Sequence, residues 1–217
     1  MDSIDTLPKY GIYKDTNSKW LGDIPKHWQL KKFKYLASVN KGKLPKKLTS
    51  DESANFPPYL SMEYLRGGIA TQFVMDADSE VVSDNDILLL WDGSNSGEFI
   101  KSKKGVISST VASIKFKKIS NSFAWYACSI VERLLRNSTV GMGIPHVDGD
   151  ELKNSLIAVP PEKEQIAIAR FLENKGMKID EAVAIKEKQI ELLKERKQII
   201  IQEAVTQGLN PVSYTHL

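Results

Sequence analysis

The sequence has one cysteine, three histidines and no long apolar run. Each shortage excludes something. With only Cys128 there is no internal disulfide and no zinc site built from several cysteines. Its neighbours in Phe123-Ala124-Trp125-Tyr126-Ala127-Cys128-Ser129-Ile130-Val131 are apolar at helical spacing, so Cys128 is read as a buried core thiol. His27, His146 and His216 lie far apart and lack metal-type spacing. No stretch approaches the ~20 apolar residues of a membrane helix. The first residues, Met1 to Thr16, lack the apolar segment of a signal peptide. No membrane partner is expected, and the chain is read as cytoplasmic. Net charge is only +3, which by itself argues little about partners.

Catalytic signatures are missing too. No Gly-x-x-x-x-Gly-Lys-Ser/Thr string is present, so ATP use is not expected. Asn55-Phe56-Pro57-Pro58-Tyr59 resembles the short Asn/Asp-Pro-Pro-aromatic loop with which DNA amino-methyltransferases hold a flipped base. Here Phe56 displaces Asn55 from the prolines, and no strand–glycine-loop–helix unit for a methyl donor accompanies it. The string is read as a proline-rich turn. Acids between 76 and 98 lack the spacing of a nuclease site. No nucleophile, general base, metal or cofactor is expected.

What is present divides into zones. The chain has 217 residues, 41% of them hydrophobic and 26% charged, enough for one domain with a real core and an appendage. Residues 1–20 read as a loosely held leader. Residues 21–160 mix short apolar runs with Gly, Pro, Ser and Asn clusters. Asp86 to Trp91 reads as a buried strand leaving into the polar loop Asp92-Gly93-Ser94-Asn95-Ser96-Gly97. Val106 to Phe116 reads as one or two strands, and Leu156 to Val159 as a last one. Between them Phe123, Tyr126, Ala127, Ile130, Val131, Leu134 and Leu135 share a helical face. Residues 161–207 change character. Pro161 followed by Glu162 and Glu164 is a helix start. Gly176 is expected to break or bend this helix. From Ile179 a heptad runs through Val183, Lys186, Ile190, Leu193, Lys197, Ile200 and Ala204. Gly208 reads as a stop. The fold class expected is α+β: a mixed, strand-rich domain followed by a long coiled-coil-like helix. A helix with such a stripe needs a partner helix, with Ile179, Val183, Ile190, Leu193 and Ile200 as its interface.

The charge is sorted into blocks. Residues 26–47 carry eight lysines and no acid, and residues 101–118 carry six lysines and no acid. Residues 76–98 carry seven acids and no base. The helical zone balances nine bases against nine acids. The excess positive charge therefore lies in the 21–160 domain, where lysine segments can neutralise phosphates. Lysines position a duplex without reading it. Base reading needs hydrogen-bonding side chains on loops, such as Trp91 to Gly97 and Ser61 to Gly68.

Several strings resemble type I restriction-modification specificity subunits. Trp20-Leu21-Gly22-Asp23-Ile24-Pro25-Lys26-His27-Trp28 is similar to the phrase that opens their target-recognition domain. Asp86-Ile87-Leu88-Leu89 with Asp92-Gly93-Ser94 and Gly97 resembles a strand and loop of that domain. Pro160-Pro161-Glu162-Lys163-Glu164-Gln165, Ile168-Ala169 and Phe171-Leu172 resemble the opening of the spacer helix. Ile190 to Lys197 and Ile200 to Leu209 resemble its distal end. The resemblance covers residues 20–211 and implies a non-catalytic DNA-recognition module for double-stranded DNA. It implies modification (adenine methyltransferase) subunits and a restriction/motor subunit as partners, with a second copy or second half joined through the helix.

Together these readings assign Lys41, Lys43, Lys46, Lys47, Lys101, Lys103 and Lys104 to phosphates. They assign Arg66, Trp91, Ser94, Asn95 and His146 to bases. Full subunits of that kind carry two recognition domains, and this chain has one. Val212 to Leu217 match no expected continuation, so the chain is read as a natural half or as a truncated reading frame with a non-native tail at 208–217, the latter being favoured because the tail stops without a capping or closing signal. Two alternatives accompany this reading: an assembly protein whose helix is the working part, and a stand-alone DNA methyltransferase fragment.

Overall fold

The computed structural model of the chain describes residues 10–18, 20–76, 79–137 and 145–208. The first nine leader residues, Asp78 and the tail from Val212 lie outside that set. The strands are β1 (Tyr13–Lys14), β2 (Ile24–Pro25), β3 (Gln29–Lys32), β4 (Ala37–Lys41), β5 (Leu48–Thr49), β6 (Phe73–Val74), β7 (Val81–Val82), β8 (Ile87–Leu90), β9 (Phe99–Lys101), β10 (Gly105–Val106), β11 (Val111–Phe116) and β12 (Leu156–Val159). The helices are α1 (Met62–Leu65), α2 (Asn121–Asn137), α3 (Gly149–Asn154) and α4 (Glu162–Gln207). The architecture is α+β, as the sequence predicts.

The central sheet has the order β4-β11-β8-β9, with antiparallel pairing throughout. Strand β8 explains the continuous apolar run. All four of its residues are buried, because successive side chains point to opposite faces and both faces are covered. Ile87 and Leu89 join Phe33, Phe99, Ile114, Phe123 and Val131 in one core. Leu88 and Leu90 join Leu60, Leu65, Val82, Ile107 and Val111 in a second. Each fully buried large side chain contributes roughly 1.5–3 kcal/mol.

Helix α2 supplies the lid of the first core. Its buried face is Phe123, Ala124, Ala127, Cys128, Val131 and Leu135, while Ile130 is 45% exposed. The face expected from periodicity is thus rotated toward Cys128, and Ile130 is corrected to the outside. Burial pushes the Cys128 thiol well above its ordinary pKa. Val106 to Phe116 forms two strands, β10 and β11. Tyr10, Tyr13, Lys14 and Thr16 of the leader are tied to the domain. Tyr13 pairs with Pro25 and Lys14 with Ile24, an interaction of two-residue strands that leaves no periodicity to read.

Helix α4 runs unbroken from Glu162 to Gln207, some 46 residues and roughly 69 Å at 1.5 Å per residue. Gly176 neither ends nor interrupts it. A single interior glycine costs about 1 kcal/mol, which the propensity of the surrounding Ala, Glu, Lys and Leu offsets. Gly208, at φ +76°, follows its end as expected. The chain divides into two compact units, 1–169 and 170–217. The division falls inside α4 because Gln165 and Ala169 are buried in the first unit.

Candidate nucleic-acid interface

The loop after β8 is built by backbone. The Trp91 N–H donates to Thr110 O at 2.8 Å, Gly93 to Pro145 O at 2.9 Å, and Gly97 to Leu90 O at 2.8 Å. The Val147 N–H donates back to Trp91 O at 2.9 Å, and Asp92 bridges to His146. Gly97 sits at φ +90°, and a Cβ there would lie 3.2 Å from Leu135 Cβ and from the Arg136 backbone nitrogen. Only glycine lets the loop close onto the end of α2 in that conformation. The result is a preorganised platform carrying Trp91, Ser94, Asn95 and His146. Ser94 and His146 are exposed, and Trp91 and Asn95 are half-buried.

Strand β4 delivers Lys41 to the same place. Its ammonium lies 3.2 Å from Asp92 Oδ2 and 5.3 Å from the centre of the Trp91 ring. Arg66, just past α1, donates to Glu98 at 2.9 and 3.0 Å. The structure therefore brings together Lys41, Trp91, Asp92 and His146, and couples Arg66 to the residue that follows Gly97. It also shows what the acidic block does. Asp92 and Glu98 hold Lys41 and Arg66, Glu80 holds Lys115 at 3.1 Å, and Asp84 accepts from the Lys104 backbone. Exposed pairs of this kind contribute about 0–1 kcal/mol, so a phosphate can exchange with the carboxylate. Sequence order gave no sign of these pairings.

The remaining lysines fall into two groups. Lys43, Lys46 and Lys47 follow Lys41 directly on an exposed arch. Lys101 is placed differently. In the antiparallel register it opposes Ile87, at the end of β8 away from Trp91, a strand of four residues or roughly 14 Å at 3.4 Å each. Its ammonium lies 5.3 Å from the Trp125 ring. Lys103 is half-buried, donating to Gly68 O at 3.3 Å and lying 4.1 Å from the Tyr64 ring. Lys104 is exposed.

The two motif phrases meet in space. Glu164, in the first turn of α4, accepts from Tyr10 Oη at 2.7 Å and Trp28 Nε1 at 2.9 Å, and its other oxygen lies 2.8 Å from His27 Nε2. Burial pushes its carboxyl up, but the hydrogen bonds from Tyr10, Trp28 and His27 outweigh that, and the net shift is downward. Gln165 beside it is buried. Its Nε2 donates to Pro160 O at 2.9 Å, and its Oε1 accepts from the Ser120 N–H at 2.9 Å. Both ends of the amide are satisfied, which holds the first turn of α4 to the start of α2. Periodicity could not identify this clamp, because Glu164 lies 136 to 154 positions from its partners.

Residues 170–207 of α4 are exposed almost throughout. Ile179, Val183, Ile190, Leu193 and Ile200 keep between 49% and 63% of their surface. Ile185, Leu192 and Ile199 recur one position ahead of the heptad line and are also exposed. The open apolar band is therefore wider than a two-stranded seam. Among the described residues, no cluster of His, Cys, Asp and Glu is placed to hold a metal, and no helix is long and apolar enough to cross a membrane.

A strand-rich domain with a preorganised polar loop, basic flanks and a long apolar-striped helix defines a class of recognition modules. Residues 25–195 match the family model described as type I restriction modification DNA specificity domain. The chain belongs to that family. It is 38% identical over 203 residues to the type I restriction enzyme MjaVIII specificity subunit of Methanocaldococcus jannaschii, covering 91% of this chain and 47% of that protein. Among solved structures it is similar to a chain from a study of complex assembly and conformational transition of the type I R-M system. That likeness has a TM-score of 0.74 at 16% identity, over 91% of this chain and 49% of the other. It is also similar to the HsdS subunit of Thermoanaerobacter tengcongensis, with a TM-score of 0.64 at 17% identity, over 91% of this chain and 48% of the other. Those two likenesses carry the fold alone. The chain spans about half the length of the proteins it matches.

Proposed function

We infer that this chain is a non-catalytic DNA-recognition module that reads one half of a split double-stranded target in the cytoplasm. The observation that carries the reading is the membership of residues 25–195 in the specificity-domain family. The platform around Trp91 supports it. Ser94, Asn95 and His146 offer hydrogen-bonding groups on a rigid frame, Lys41, Lys43, Lys46 and Lys47 flank it to hold phosphates, and Arg66 stands next to it. Lys101, Lys103 and Lys104 extend the phosphate contacts toward the other end of β8. The wide apolar band of α4 takes a second copy or a second half of the subunit. Modification subunits, with their adenine methyltransferase activity, and the restriction subunit dock on that assembled frame and supply the chemistry.

The ion pairs of Lys41 and Arg66 with acids favour a second reading, an assembly protein whose helix is the working part. Binding of the purified chain to DNA, measured against salt, separates the two. Lys43→Ala with Lys46→Ala is expected to weaken binding to all sequences alike and to flatten the log–log salt slope by about 1.8, at ~0.9 per phosphate contact. Asn95→Ala is expected to change which sequences are selected from a random pool. A parent chain that binds no DNA, with or without a modification subunit, leaves the assembly reading.

A further inference from the structure

The segment between Lys41 and Lys47 is an arch tied at both feet. At one foot, the Gly42 N–H donates to Val111 O at 2.9 Å, and the backbone passes so close to Ile107 and Ser108 that a Cβ on Gly42 would lie 2.3 Å from Ser108 O. At the other foot, Asp76 Oδ2 accepts the backbone N–H groups of both Lys46 and Lys47, and Met75 N–H donates to Lys47 O at 3.1 Å. Pro45 removes further backbone freedom. At the crown stands Leu44, 72% exposed, with Lys43 before it and Lys46 and Lys47 after it, all exposed. A leucine held out on a preorganised loop among cations is not explained by either core, to which it does not belong. Its position is also defined. Lys41, three residues back, stacks on Trp91 and pairs with Asp92, so Leu44 lies within about 11 Å of chain reach of the platform.

We propose that Leu44 is an apolar wedge that enters a groove of the bound duplex, while Lys43, Lys46 and Lys47 hold the phosphates on either side. The proposal rests on the reading that this domain binds DNA. The chemistry is that of minor-groove proteins that insert a Leu, Ile, Phe, Met or Pro between base steps while basic side chains contact the groove. Preorganisation matters because the arch is already fixed by Asp76 and Gly42, so little loop freedom is lost on binding. An apolar contact in a groove adds affinity without releasing counterions, and that property separates its effect from the lysines'.

The test uses the full chain and a random-sequence pool of 30-base-pair duplexes, with affinity measured by anisotropy across a salt series. Leu44→Ala is expected to weaken binding about tenfold at every salt concentration, with the slope unchanged. Lys43→Ala with Lys46→Ala flattens the slope. Ile12→Ala, which removes an exposed aliphatic side chain outside the arch, leaves both unchanged. An equal urea midpoint for Leu44→Ala and parent establishes that folding is intact. If Leu44→Ala binds like the parent while the lysine variant flattens the slope, the wedge is overturned and the DNA reading stands. A flattened slope with Leu44→Ala also overturns it, since that is loss of charge contacts by distortion of the arch. A parent that binds no duplex, with or without a modification subunit, overturns the wedge together with the reading beneath it.

Discussion

Replacing Glu164 by alanine removes the one acceptor shared by Tyr10, Trp28 and His27. A buried hydrogen bond to a charged group contributes about 1.5–3 kcal/mol. Three such bonds would suggest a large loss, but the exposure of the partners argues against it. The Glu164 side chain is 29% exposed and that of His27 45% exposed, so water takes over part of each bond. Tyr10 is exposed as well, and only the Trp28 N–H is left on a half-buried group. The expected total is ~1–2 kcal/mol, or a fall in Tm of roughly 2–8 °C at about 2–4 °C per kcal/mol for a domain of this size. Thermal and urea unfolding followed by tryptophan fluorescence reads this directly, since Trp28 is part of the clamp. The sign with pH is also defined. The folded carboxyl titrates below its ordinary value, so its contribution is present at pH values above that ordinary value and is lost as pH falls through the folded value. The gap in midpoint between parent and Glu164→Gln should therefore shrink in acid. An alanine variant as stable as the parent at neutral pH, or a gap that widens on acidification, refutes the reasoning.

Two further outcomes are expected. Gly42→Ala places a Cβ 2.3 Å from Ser108 O and 2.6 Å from Ile107 O, both backbone atoms, so strand and arch must separate; about 1–3 kcal/mol is lost in urea denaturation. Leu193→Asp puts a charge in the middle of the apolar band of α4 and should lower the mass measured in solution by light scattering, whereas an unchanged mass places the interface elsewhere.

The legible parts of this protein were those with local signals. The run Ile87 to Leu90 reads as a buried strand because four consecutive apolar residues in a strand need cover on both faces, and the structure provides two cores. The long helix reads from composition, from Pro161 and from the stripe beginning at Ile179. The loop Asp92 to Gly97 reads as polar and tight because its glycines and small polar residues suit little else. Gly176 misleads, because a local propensity of about 1 kcal/mol cannot stop a helix with strong formers on both sides. Ile130 misleads because the α2 face is set by the sheet beneath it, which periodicity places only within one residue or so.

Partner choice was not legible. Eight lysines in residues 26–47 and seven acids in residues 76–98 look like separate blocks along the chain. Folding interleaves them, and Lys41 meets Asp92 only because β4 and β8 flank β11. His27, Trp28 and Glu164 carry two phrases of the sequence that are far apart, and one carboxylate joins them. The sequence by itself determined the buried strand at Ile87 to Leu90, the long helix and the family, since periodicity, composition and motif spacing are properties of neighbours in the chain. The tertiary structure decided which charges neutralise each other, which loop carries Leu44 outward and what ties down the first turn of α4. Those depend on distances between residues far apart in sequence, which only the packing of the sheet sets.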